Sequence, residues 1–211
     1  MLLSSLALMS SKHYCLLGAL QPASQSDIKA VIAIGQGHLA SASRDASVNL
    51  WRRAKAGSEE ADGYFQLQAS FLGHSEYVNS LTHIPGESTL GTLASGGNSS
   101  LILIHNLETL SPDADECLIG HTSNVCALNY SQTQQRLVSG SWDCTARVWA
   151  QSTSGWACEL SLEGHEQAVW DVQVFEQGSR VGCYLTGEWR QVKRALTSGS
   201  GMRAMEAIAN G

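Results

Sequence analysis

GHTSNVCALNYSQTQQRLVSGSWDCTARVW, residues 120–149, decides how the rest of this chain is read. Residues 125–130 and 136–141 are short runs rich in β-branched and apolar side chains, separated by the polar stretch 131–135. They read as two antiparallel strands joined by a loop. Trp142-Asp143-Cys144-Thr145 then supplies a tight turn, because the Asp143 carboxylate can accept from nearby backbone N–H groups, and residues 146–149 return as a third strand. A neutral His121 can donate to Asp143, the Ser139 hydroxyl can bond the other ring nitrogen, and the Trp149 N–H can close the network. Such bonds satisfy buried polar groups that would otherwise cost about 1–3 kcal/mol each. The His, Ser and Asp of this stretch are therefore read as structure rather than as a catalytic triad.

The same grammar recurs. Aligned on the final Trp, LASASRDASVNLW (residues 39–51) matches LVSGSWDCTARVW (residues 137–149), which sets Asp45 and Trp51 beside Asp143 and Trp149. LASGGNSSLILIH (residues 93–105) fits the frame with Ser99 in place of the Asp and His105 in place of the Trp. Gly-His pairs stand at Gly73-His74, Gly120-His121 and Gly164-His165, 47 and 44 residues apart. That period is the size of one four-stranded propeller blade. Gly18-Ala19 occupies the place of the first Gly-His pair, so Asp45 and Trp51 are expected to lack a histidine partner.

These residues resemble the WD-repeat β-propellers. GHTSNVCAL from Gly120, SGSWDCTARVW from Ser139 and GHEQAVWDV from Gly164 together are similar to the propeller of the phospholipase A(2)-activating protein family. Tyr77-Val-Asn-Ser and Ser95-Gly-Gly-Asn fit its second blade. The resemblance covers roughly residues 13–187. It implies a non-catalytic, cytoplasmic and nuclear scaffold that binds ubiquitin or ubiquitinated proteins, acts in ubiquitin-dependent degradation and needs no cofactor. It also implies docking to an AAA segregase, through domains absent from these residues. Two other readings stay open: a regulator of phospholipase activity, as the family's name implies, and a non-functional truncated fragment.

The expected fold is all-β, an incomplete propeller of about three and a half to four blades over residues 13–187. Residues 1–12 form an extension, with 14–17 opening the first strand. Residues 188–211 form a divergent tail: the expected Ser-x-Asp…Trp never arrives, so the segment reads as disordered, with a short helix possible over 202–209. Seven blades need about 300 residues, so the ring is expected to stay open. Each bare blade face then forgoes about 10 kcal/mol of burial if it exposes several hundred Å², and these residues alone are expected to be marginal or completed by another chain.

Composition narrows the function. The 211 residues are 43% hydrophobic with 20 glycines, which suits many short strands and turns. A formal charge of −6 argues against a phosphate-binding surface and hence against nucleic acid. The apolar opening, residues 1–9, lacks a basic residue ahead of it and a small-x-small cleavage site. No run reaches the roughly 20 apolar residues of a membrane helix, and no membrane contact is expected. The six cysteines include no C-x-x-C pair and read as reduced thiols. Asp113, Asp115 and Glu116 read as a solvated loop, and His13, His38, His83 and His105 are too dispersed for a metal motif. No metal is expected.

A binding scaffold needs only exposed loops on a rigid frame. Candidate ubiquitin contacts are the residues before each turn, Arg44, Asn98 and Trp142, and those opening the innermost strands, Tyr77, Asn79, Asn124 and Trp170, with Cys126 and Ala168 beside them. Trp142 and Trp170 lead, because exposed aromatics anchor interfaces; packing between blades is the competing reading for both. The expected structural network comprises Asp45, Trp51, His74, His121, Ser139, Asp143, Trp149 and His165.

Overall fold

A computed structural model describes residues 19–21, 26–54, 64–87, 90–177, 180–187, 191–198 and 201–209. Strands β1 (Ala19–Gln21), β2 (Ile28–Gly35), β3 (His38–Ser43), β4 (Val48–Arg53) and β5 (Tyr64–Phe71) make the first sheet. The second holds β6 (Val78–Ile84), β7 (Thr92–Gly97), β8 (Ile102–Asn106) and β9 (Glu116–Leu118). The third holds β10 (Val125–Ser131), β11 (Arg136–Ser141), β12 (Ala146–Ser152) and β13 (Gly155–Leu162). The fourth holds β14 (Val169–Gln177), β15 (Arg180–Gly187), β16 (Gln191–Ser198) and β17 (Gly201–Ala209). Three sheets are four-stranded antiparallel meanders. The first adds β1 as a fifth strand, parallel to β5, with Ala19 opposite Tyr64.

The sheets pack serially as four blades: β2 and β3 against β6, β6 and β7 against β10, β10 and β11 against β14. The ring is not closed, and no helix occurs among the described residues. Because both faces of an inner blade meet a neighbour, successive residues of one strand enter different cores. Trp149 joins Ile84, Ile102 and Val125 at the seam with the second blade. Val148, one residue earlier, joins Val169 and Val172 at the seam with the fourth.

Two glycines of the repeat are explained by those seams. A Cβ on Gly96 would lie 2.6 Å from Cγ1 of Val125, and one on Gly140 would lie 2.9 Å from Cγ1 of Val169. Each glycine lets the next blade's innermost strand approach its own blade.

The tail departs from expectation. Residues 191–198 and 201–209 run as β16 and β17, where an unpaired segment and a short helix were expected. Val192 stands opposite Ile208 and Ala195 opposite Met205, and only Gly199-Ser200 separates the paired Ser198 and Gly201. Strand pairing needs β-compatible residues and a turn, whereas the missing Ser-x-Asp…Trp specifies only a blade's polar network. Expectations for 1–12, 14–17 and 188–190 lie outside the described residues.

Candidate binding surface

The third blade shows how a buried polar chain fixes one end of the propeller. Asp143 accepts at Oδ2 from Nδ1–H of His121 at 2.8 Å, so Nε2 of the neutral ring must accept, and the Ser139 hydroxyl donates to it at 2.7 Å. Nε1–H of Trp149 then donates to Ser139 Oγ at 2.8 Å. Asp143 also accepts from the Thr122 and Thr145 N–H groups and from Oγ1–H of Thr145. Burial alone would raise the Asp143 carboxyl, but the bonds from Thr145, Thr122 and His121 together lower it to about 2. Burial pushes His121 down despite that carboxylate, so the ring is neutral near pH 7. Ser139 is wholly buried with its oxygen engaged on both sides, which leaves no approach for a substrate.

The other blades vary the theme. In the second, His74 Nε2 lies 2.8 Å from Ser95 Oγ and Nδ1 lies 3.2 Å from Ser99 Oγ. His105, in the tryptophan position, is fully buried against the Phe71 ring. In the first, Trp51 donates to Ser41 Oγ at 2.8 Å, and Asp45 accepts from the Ser47 N–H within the turn. His165 is buried at the equivalent place in the fourth blade. The third residues of three turns, Ala46, Ser100 and Cys144, adopt φ of 69°, 60° and 65°. Each turn therefore keeps the residue before its Asp or Ser at the blade end.

At that end the structure brings all seven candidate contacts into one connected strip. The Arg44 guanidinium lies 4.8 Å over the Tyr77 ring and 3.3 Å from Oδ2 of Asp27. The Asn98 N–H donates to the Tyr77 carbonyl at 2.8 Å. Nδ2 of Asn79 donates to Oδ1 of Asn98 and, across the blade seam, to Oδ1 of Asn124, at 2.8 and 2.9 Å. The Trp142 N–H donates to the Asn124 carbonyl at 3.0 Å, and the Trp142 and Trp170 rings meet edge-to-face at 5.2 Å. Both indoles stay accessible, at 46% and 58%, and Tyr77 at 40%. Trp142 and Trp170 therefore pack on each other across a seam while remaining half open to solvent.

A repeated backbone device builds the strip. The ladder slips by one residue at the second position of β2, β6, β10 and β14, which is Lys29, Asn79, Cys126 and Trp170. A bulge re-aims its side chain out of the strand's alternation. Asp27 and Lys29, which sequence reasoning missed, complete the first blade's share: the Arg44 N–H donates to the Asp27 carbonyl as Asn98 does to Tyr77. Alignment on Asp45 and Trp51 falls one residue short of both, because the connection between the first two strands is one residue shorter here than in the third blade.

Among the described residues no three His, Cys, Asp or Glu side chains gather as metal ligands, and no helix is long and apolar enough to cross a membrane. The acidic loop has structural duties: Asp115 accepts from the Asn106 N–H, and Glu116 accepts from the Trp156 N–H across a seam.

Comparison with known proteins agrees with the fold. The model of the WD domain, G-beta repeat, matches residues 115–150. The chain is 35% identical over 147 residues to phospholipase A-2-activating protein of Xenopus laevis, covering 68% of this chain and 17% of that protein. It is 30% identical over 128 residues to ubiquitin homeostasis protein lub1 of Schizosaccharomyces pombe, covering 60% of this chain and 16% of that one. In three dimensions it resembles the WD40 β-propeller domain of Doa1, with a TM-score of 0.64 at 24% identity, over 86% of this chain and 54% of that one. The chain thus spans less than a fifth of the length of these two relatives.

Proposed function

We propose that this chain, a WD-repeat propeller stretch of the phospholipase A-2-activating protein family, is a non-catalytic scaffold whose blade-end strip binds ubiquitin. The observation that carries the reading is the strip itself: seven side chains from four blades, joined by contacts over three seams and ending in two accessible indoles. Rigidly held aromatics at low entropic cost are what a protein interface uses as anchors, and ubiquitin offers an apolar patch to receive them. The name of the lub1 relative ties that protein to ubiquitin homeostasis and supports this choice of ligand. The polar His–Ser–Asp set is absorbed by blade structure, which favours scaffold over enzyme. Such a scaffold acts in the cytoplasm and nucleus, and coupling to an AAA segregase passes through other domains.

Trp142→Ala is expected to weaken ubiquitin binding by roughly tenfold or more, as an interface anchor does, with the near-UV circular dichroism of the remaining tryptophans preserved. Calorimetric titration checks it. Unchanged affinity in a folded variant would refute the assignment of this surface.

A further inference from the structure

We propose that the amide triad in the middle of the strip, Asn98, Asn79 and Asn124, receives the main chain of an extended segment of the bound protein, matching its alternating C=O and N–H groups. The inference takes the strip as the binding surface and rests on that reading; it adds which chemistry the polar centre selects.

The observation that carries it is how the three amides use their own groups. Nδ2 of Asn79 donates to Oδ1 of Asn98 at 2.8 Å and to Oδ1 of Asn124 at 2.9 Å, which spends both of its N–H groups. Nδ2 of Asn98, Oδ1 of Asn79 and Nδ2 of Asn124 are then left without a partner among the described residues. Taken along the linked residues, they read donor, acceptor, donor. These groups are not sealed inside the seam. Asn124 is only 7% exposed, yet none of the three is among the buried polar atoms left without a bond, so each reaches solvent. Water satisfies them in the free chain, and a ligand that displaces it must offer the complementary order.

Few protein groups fit that order. A carboxylate only accepts, and would set its charge against Oδ1 of Asn79; a lysine or arginine only donates, and would leave both Nδ2 groups unmet. A primary amide covers two of the three positions. An extended main chain presents C=O, N–H and C=O in turn along one edge and covers all three. Turning the three amides over together keeps both internal bonds and exchanges each free donor for an acceptor; the same edge, entered one group earlier, answers that order too. The triad bonds to no charged side chain among the described residues, and Arg44, the strip's cation, is held by Asp27, which suits a neutral ligand. Its backbone is fixed as well. Asn79 occupies the bulge of β6, the Asn98 N–H donates to the Tyr77 carbonyl, and the Asn124 carbonyl accepts from the Trp142 N–H. Groups ordered before binding lose little entropy on binding.

The test follows the side-chain amide signals of Asn79, Asn98 and Asn124 in the full ¹⁵N-labelled chain during titration with the blocked tripeptide acetyl-Thr-Val-Thr-amide. A second titration uses the same peptide N-methylated at Val and at the second Thr, which keeps every side chain and carbonyl and removes the two central donors. Concentrations run into the millimolar range, because a few neutral hydrogen bonds bind weakly on their own. The expected result is a shift of the Asn98 and Asn124 signals, with at least about fivefold weaker binding of the methylated peptide, the worth of one net hydrogen bond. Asn98→Asp and Asn124→Asp each keep an oxygen to accept from Asn79 and lose the free donor. Each should weaken both the peptide and ubiquitin about tenfold while the urea midpoint stays unchanged, separating recognition from collapse of the seam. No shift with either peptide, or equal binding of both, would overturn the inference. If ubiquitin binds and neither aspartate variant weakens it, main-chain recognition alone is lost. If the peptide binds and ubiquitin does not, the ubiquitin reading alone is lost.

Discussion

Trp149→Ala is expected to destabilise the chain by about 3–5 kcal/mol, the usual cost of deleting a buried aromatic side chain. Trp149 is 2% exposed, fills the seam between the second and third blades beside Ile84, Ile102, Leu118 and Val125, and donates to the hydroxyl that orients His121. Its removal empties the largest volume in that seam and strips one donor from Ser139 at once. Domains of this size hold only about 5–15 kcal/mol in total, so the variant should stand near its unfolding threshold. Trp149→Phe separates the two contributions, because it keeps most of the packing and forfeits a hydrogen bond worth about 1 kcal/mol. Urea unfolding followed by far-UV circular dichroism reads both. A loss below 1 kcal/mol for the alanine variant would contradict this account of the seam.

Acid should unfold the chain in two windows, beginning at the second blade. Burial, with a smaller contribution from the charge of His105, lowers His74 to about 4, against 6.5 for a free ring. A histidine whose folded pKa is depressed binds protons more readily when unfolded. Its contribution is complete above about pH 6.5 and is lost as pH falls towards 4, amounting to about 3 kcal/mol. His105 is also lowered, by burial against the opposing Asp115 and Asp113 charges, and pulls in the same direction. Ser99 cannot offset a proton on His74, because it offers a hydroxyl where the third blade has a carboxylate. Asp143 acts lower: its folded pKa of about 2 lies beneath the unfolded value of 3.8, so its contribution is present above 3.8 and lost as pH falls through 2. Urea midpoints should therefore drop between pH 7 and 4.5. Ser99→Asp should shrink that drop by giving protonated His74 a counter-charge. A midpoint constant from pH 7 to 4.5 would refute the first window.

The propeller was legible because its repeat is written in residues with fixed physical duties. A Gly-His pair, a turn Asp and a closing Trp recur at blade spacing, and Gly96 and Gly140 stand where the next strand comes too close for a side chain. The last two strands were not legible by that route, since the network residues they lack do not govern whether Val192 can pair beside Ile208. Alternation predicts which face a strand residue takes, but a one-residue slip in the ladder breaks that alternation where it matters. It does so at Lys29, Asn79, Cys126 and Trp170. The meeting of Trp142 with Trp170 joins residues of two blades, and neither spacing nor composition encodes it; only blade packing brings the rings to 5.2 Å. Asp27 and Lys29 were hidden for a simpler reason: the first blade opens without the Gly-His that marks the others.

The central claim is that the blade-end strip is the ubiquitin-binding surface, and hydrogen–deuterium exchange of the chain with and without saturating ubiquitin tests it most directly. The account predicts added protection at residues 77–79, 98, 124–126, 142 and 168–171, with the opposite strand ends, such as residues 35–38 and 131–136, unchanged. Protection confined to those opposite ends, or to the outer strands β9 and β13, would contradict it.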